Sequence, residues 1–510
     1  MNSNNKRIIK NSIFLLSRTI FLTIVTLYTL REVISILGAK EFGLYTVVFG
    51  VVTMFAFINS AMMSATQRYL SIAIGKDNTQ EIKNTFYGGL FIHIILAIFL
   101  SIIIYMLKEY FLNKVLNVHG YQDEAVFIYF FAIISIFISL LQVPFSALIT
   151  AYEKMQAFAY LAIFEGLSKL AVVYLLVFFD NNKVVVYSLF LTIISFFVFL
   201  IHVIYCYVNF NKIMGDIQFK IDEIKKMIQR MLNFIGWSLI GNLSIVMRNQ
   251  GANILLNIFF GLLVNAAFAI SLTVMIAIST LVASVSNAIN PQIFKTYAEG
   301  SINKFYELIS SGTRYYIYFL SLIIIPLIFF MEFLLNLWLN NYPDYTVSFC
   351  QFLLIVVLLD SFSILLTSGI QANGNIKWNQ IVTGILLCIP IPITYALYRE
   401  GLSVNSMFYM LVLVSTISIF TKLFFICKLT NYKFLNYIYH VLFPCIFIIL
   451  INLTLMYGLI KAIGMPLDIY EFVILLITFG LFGVLSILTF GLNLKEKNKL
   501  KIYFFKKFNQ

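Results

Sequence analysis

The stretch Gly236–Asn257 reads GWSLIGNLSIVMRNQGANILLN, with polar groups where a membrane-spanning helix should carry few. At about 100° per residue, Ser238, Asn242, Asn249 and Asn253 share one face, and Asn257 lies close to it. Arg248 sits roughly 100° from that stripe, on a face with Gly241, and Gln250 adds another amide. A cation near the bilayer centre costs about 2.5–3.5 kcal/mol on insertion scales. Arg248 therefore needs water, a counter-charge or an anionic ligand. The stripe reads as the lining of a hydrated path. The alternative is a packed interior in which Arg248 meets backbone carbonyls or a carboxylate such as Asp360.

Other ionisable residues fall inside apolar runs. Arg18 lies about two turns into the first run, with Asn11 and Thr29 on nearly the same face. It either faces the same path or snorkels to headgroups. Glu165 and Lys169 stand at i and i+4, acid first, the favoured order for a helical pair. They either neutralise each other or line the cavity. Asp360 is the carboxylate well inside a span of the second half, followed by Ser361, Ser363, Thr367 and Ser368. It is a candidate proton or sodium coupling site, or a partner for Arg248.

Enzyme chemistry is not written here: HExxH, GxSxG, Walker A and DxD patterns are missing. The four His are scattered without ligand spacing, so neither a catalytic residue nor a metal site is expected. The five Cys lie in apolar runs and read as small buried apolar residues. No soluble stretch could form an ATPase domain. An active transporter built this way needs no cofactor and would draw on a proton or sodium gradient.

The elements that must position these residues are helices. The chain is 61% hydrophobic and 11% charged, with mean hydropathy +0.93; soluble domains carry about 25% charged residues. Its apolar runs are continuous over about 20 residues, which excludes the short alternating strands of a membrane β-barrel. The expected fold is all-α and polytopic, with about fourteen spans. They fall near 11–36, 43–67, 84–107, 125–148, 157–179, 184–208, 233–259, 263–289, 314–338, 345–370, 377–398, 404–427, 434–461 and 468–493. The first run is too long for a signal peptide and is expected to stay uncleaved.

The net charge of +13 does not indicate nucleic acid, because it gathers in alternate loops. One set of segments, including both termini, 212–230, 295–314 and 422–433, holds about 25 Lys and Arg; the other holds about seven. Both termini are thus expected in the cytoplasm. Residues 1–208 form an N-lobe of six spans and 233–430 a C-lobe of six. Between them 209–232 reads as an amphipathic linker, with Phe219, Ile224, Met227, Ile228 and Met231 on one face. Residues 431–510 add two spans and a basic tail suited to anionic lipid headgroups. LGAKEFGLY at 37–45 and FGLLVNAAF at 260–268 suggest a repeat offset by 223, each with a short turn at a glycine, Gly38 or Gly261. That makes the two six-span lobes pseudo-symmetric parallel repeats.

Three stretches, KNSIFLLSRTIFLTIVTLYTLREVISILGAKEFGLYTVVFGVV, SATQRYLSIAIGK and MRNQGANILLNIFFGLLVNAA, resemble the Wzx-type flippases of O-antigen and capsule assembly. These belong to the multidrug/oligosaccharidyl-lipid/polysaccharide exporter superfamily. The resemblance implies two lobes around a central cavity in the bacterial cytoplasmic (inner) membrane. It implies alternating-access transfer of an undecaprenyl-pyrophosphate-linked oligosaccharide from the cytoplasmic to the periplasmic leaflet. Membrane lipids and a polysaccharide polymerase or chain-length machinery are the implied partners. On this reading Arg18 and Arg248 hold the pyrophosphate through charge-assisted bonds. Asn249, Gln250 and Asn253 contact sugar, with Asn242, Lys169 and Glu165 completing the lining. The rival readings are a cation-coupled multidrug antiporter of the same superfamily, which prefers an acidic cavity, and a multi-spanning polymerase or acyltransferase.

Overall fold

The structure, a computed structural model, describes residues 3–75, 77–118, 120–180, 182–215, 221–493 and 496–497. The side chains of 3–17, 221–238, 240 and 242, and several at 56–64 and 281–291, lie outside the described residues. So do the basic tail beyond 497 and the proposed apolar face of the linker.

In lipid every backbone polar group must be satisfied within its own segment, and long apolar runs therefore fold as helices. The first half of the chain contributes α1 (Ser3–Thr53), α2 (Phe57–Gly75), α3 (Thr79–Met106), α4 (Gln122–Ala151), α5 (Met155–Leu175) and α6 (Lys183–Asn209). Next come α7 (Ile221–Phe260), α8 (Leu262–Ala298), α9 (Ile302–Phe329), α10 (Thr346–Ser361) and α11 (Ile364–Asn373). The last are α12 (Lys377–Cys388), α13 (Pro390–Arg399), α14 (Ser406–Thr430), α15 (Phe443–Ile463) and α16 (Ile469–Ser486). Twelve helices among the described residues are long and apolar enough to cross a membrane, and no strand occurs among them. The protein is a multi-pass, all-α membrane protein.

Sequence chemistry explains the interruptions. α1 changes direction at Gly38, where φ is 78°, a backbone state that costs a residue with a Cβ. The α7–α8 turn places Gly261 at φ 82°. Pro390 starts α13, since its missing N–H is tolerated in a first turn. Asn78 and Asp468 cap α3 and α16 by accepting from Glu81 N (3.0 Å) and Glu471 N (2.8 Å). Residues 221–232 are the first turns of α7, continuous with the span that follows.

The chain forms two compact units. The first comprises Met1–Thr273, Tyr342–Tyr345 and Gly384–Met407; the second comprises Val274–Asn341, Thr346–Thr383 and Phe408–Gln510. The first unit packs Leu70, Phe86, Phe145, Leu148 and Cys206 into one core, with Phe86 edge-on to Phe145 at 5.4 Å between centroids. The second packs Ile325, Phe330, Met456, Leu475 and Phe479. Nearby, buried Asn452 donates to Ser321 Oγ (3.1 Å) and accepts from Ser486 Oγ (3.0 Å). Cys206, Cys350 and Cys445 are buried as expected, but Cys388 and Cys427 are half-buried.

Candidate functional site

Within the first unit, α2, α4, α5 and α6 line an open cavity of about 480 Å³. Its walls are Asn59, Met63, Ser139, Gln142, Val143, Ser146, Phe158, Ala162, Glu165 and His202. Six of these ten carry hydrogen-bonding groups, so this is not a void in an apolar core.

The polar walls are held in place by one another. Asn59 Nδ2 donates to Ser139 Oγ (3.0 Å), while Asn59 Oδ1 is buried with no partner among the described residues. His202 Nδ1 lies 2.8 Å from Val198 O one helical turn back. That contact makes Nδ1 the donor, leaving Nε2 to accept from Gln142 Nε2 at 3.4 Å. Lys169 Nζ meets Glu165 Oε1 at 2.6 Å. The two side chains are 42% and 35% exposed, so screening leaves the pair little net stabilising value. It sets charge at the cavity edge instead.

Arg18 belongs to the same place. Its guanidinium carbon stands 5.1 Å from the centroid of the lining Phe158, an attraction of about 0.5–2 kcal/mol. Its Nε is buried without a hydrogen-bond partner among the described residues. One turn further along α1, Leu22 fills the space beside Gly166, where a Cβ would lie 2.7 Å from Leu22 Cδ2. This close approach of α1 to α5 sets Arg18 against Phe158.

Glu165 lines the cavity, Lys169 pairs with it, and Arg18 stands against the lining Phe158. The stripe on α7 does not behave as a single lining. Asn253 is buried; its Nδ2 donates to Thr46 O (3.2 Å) and its Oδ1 accepts from Asn265 Nδ2 (2.7 Å). Asn253, expected to contact sugar, has both side-chain polar atoms engaged inside the fold. Gln250 presses on Gly50, where a Cβ would meet Gln250 Oε1 at 2.6 Å. Arg248 and Asn249 are half-buried, and the Asn242 side chain lies outside the described residues.

Asp360 belongs to the second unit, in the last turn of α10, just before the break at 362–363. Its carbonyl accepts from Ser363 N (3.0 Å) and Ser363 Oγ (2.9 Å). Lys422 Nζ donates to the same Ser363 Oγ at 3.0 Å. Lys422 lies within α14, inside the span expected over 404–427 and at the start of the basic segment 422–433. Sequence reasoning missed it, along with Asn59, Ser139, Gln142, Phe158 and His202. Neutral residues scattered over four helices give no periodic signal, and only packing brings them together.

Residues 17–175 match the MatE family, a stretch that includes Arg18, Glu165 and Lys169 and every cavity wall except His202. No curated protein matches the chain. Among solved structures, it resembles the lipid II flippase MurJ in an inward closed conformation (TM-score 0.72, 13% identity, 92% of this chain and 98% of that one). It also resembles a multidrug resistance MATE family transporter of the MOP superfamily, inward-facing (TM-score 0.66, 13% identity, 83% and 99%). The same description in an outward-facing conformation gives TM-score 0.59 at 13% identity, over 83% and 97%. The chain therefore has the fold of MATE transporters and MurJ, and its first third carries the MatE sequence pattern.

Proposed function

We propose that this chain is a flippase for a lipid-linked saccharide whose carrier bears phosphate, working by alternating access from the cytoplasmic to the outer leaflet. The observation that carries the reading is the unspent hydrogen-bonding capacity at the cavity. Arg18 Nε is a buried donor and Asn59 Oδ1 a buried acceptor, each without a partner among the described residues. A buried unsatisfied group costs about 1–3 kcal/mol, and a ligand with oxyanions and hydroxyls removes that cost. Arg18 and Lys169 supply charge for the phosphates. Asn59, Ser139, Gln142 and Ser146 supply donors and acceptors for sugar. The lipid tail stays in the bilayer while the head group crosses. Arg248 and Asn249 remain candidates for the same ligand, and Asp360 with Ser363 and Lys422 for proton or sodium coupling. The distribution of Lys and Arg supports a cytoplasmic membrane location with both termini inside. A polymerase acting on the delivered units fits as a partner.

The test is surface-polysaccharide assembly, or flipping in vesicles, with Arg18→Lys and Arg18→Ala. Lys keeps the charge and loses the planar fork, so activity falls several-fold; Ala lowers it at least about tenfold, the loss of roughly 1.4 kcal/mol. Full transport by a folded Arg18→Ala protein defeats the assignment.

A second reading, a cation-coupled multidrug antiporter, is favoured by the MatE match and by Glu165, Phe158 and Met63 among the cavity walls. Drug efflux that is lost in Glu165→Gln, in cells that make no surface polysaccharide, would select it.

A further inference from the structure

Four stretches of the first unit meet at the end of the helices near Gly38 and Gly261, and they meet through asparagine. Asn257 and Asn265 are fully buried and Asn253 nearly so. Asn257 Nδ2 donates to Asn117 O (3.2 Å) and to Asn265 Oδ1 (2.9 Å). Its Oδ1 accepts from Asn117 N at 2.6 Å. Asn265 Nδ2 donates to both Asn253 O and Asn253 Oδ1 at 2.7 Å. Asn253 Nδ2 closes the chain on Thr46 O of α1. Thr46 and Asn117 come from the first half of the sequence; the three other asparagines come from α7 and α8.

Two glycines of α1 lie in the seam beneath this ladder. A Cβ on Gly43 would lie 2.0 Å from Leu262 O, and one on Gly50 would lie 3.1 Å from Asn253 Nδ2. At Gly43 the two backbones touch, and the side-chain contacts of the ladder are polar. Such a joint differs from a hydrophobic core: its contacts are hydrogen bonds, which water can replace when the surfaces part. Each side has a glycine at positive φ next to it, Gly38 (78°) and Gly261 (82°), so both hairpins carry a bend beside the seam.

We propose that the Asn117–Asn257–Asn265–Asn253–Thr46 ladder is a reversible latch that holds the outer end of the transport path shut. In each cycle it must come apart. The inference rests on the transport reading, and on its orientation, but not on the saccharide.

Two measurements on the full-length protein, with its five native cysteines replaced, test it. In the first, Asn117→Cys and Asn257→Cys are introduced together and oxidised in membranes with copper phenanthroline. The pair is expected to cross-link readily and to slow saccharide flipping at least tenfold, with recovery in dithiothreitol. Failure to cross-link refutes the contact, and undiminished flipping by fully cross-linked protein refutes the latch. In the second, Gln250→Cys is labelled from outside with a membrane-impermeant maleimide, with no substrate present. Adding Asn265→Ala is expected to raise the labelling rate at least threefold, and an unchanged rate again refutes the latch. If labelling rises while the cysteine-free protein with native Gln250 does not flip saccharide, the latch stands and the saccharide assignment is what fails.

Discussion

The turns at Gly38 and Gly261 share a positive φ and differ in what surrounds it. Both glycines adopt the left-handed region, at φ 78° and 82°, and the offset of 223 pairs them in sequence. The same offset sets Leu30, Ile34 and Phe42 against Asn253, Asn257 and Asn265. All six are buried. One copy of the hairpin is packed with hydrocarbon, which is indifferent to direction. The other is packed with amides, each bonding a named partner. The difference teaches that a duplicated frame can keep its geometry while one copy turns from a filler of space into a connector with fixed partners.

The two hairpins are most sensitive where they touch. Gly43→Ala drives a methyl into Leu262 O, and neither backbone can yield without moving a helix. Overpacking of this kind costs about 3 kcal/mol, and a Tm in detergent that does not fall would mean the seam is looser than described. Asn257→Ala comes next. It leaves Asn117 N and the amide of Asn265 short of partners, for a loss of about 2 kcal/mol; thermal unfolding beside Ile34→Val, which removes only a methylene from the apolar copy, sharpens the contrast. The smallest effect belongs to the shared feature. Gly38→Ala and Gly261→Ala should each cost about 1–2 kcal/mol, because left-handed backbone disfavours a Cβ at both turns alike. A clear difference between those two in the same unfolding assay would show that the turns are not equivalent after all.

Much of the architecture was legible in the sequence because lipid leaves the backbone so few options. The apolar runs announced the helices, and the LGAKEFG and FGLLVNA segments announced both glycine turns. The cavity was legible only through its charges: Arg18, Glu165 and Lys169 stand out because ions are costly in apolar runs. Its neutral walls did not stand out. Ser139 or Gln142 is unremarked in any one helix, and which helix faces which is decided by packing. The α7 stripe shows the limit of periodicity. It grouped Asn253 correctly with its neighbours on one face, but a face has no label saying whether water or α1 lies opposite. Asn117 and Asn265, which decide the matter, sit far from it in sequence or across a turn.

Helix α7 runs 40 residues without a break, a rod of about 60 Å in a hydrocarbon layer about 30 Å thick. Roughly half of it must therefore stand clear of the acyl chains. A rod so placed is a lever: whatever pushes on the projecting turns tilts the turns that bear Arg248 and the amides, with no joint in between to absorb the motion.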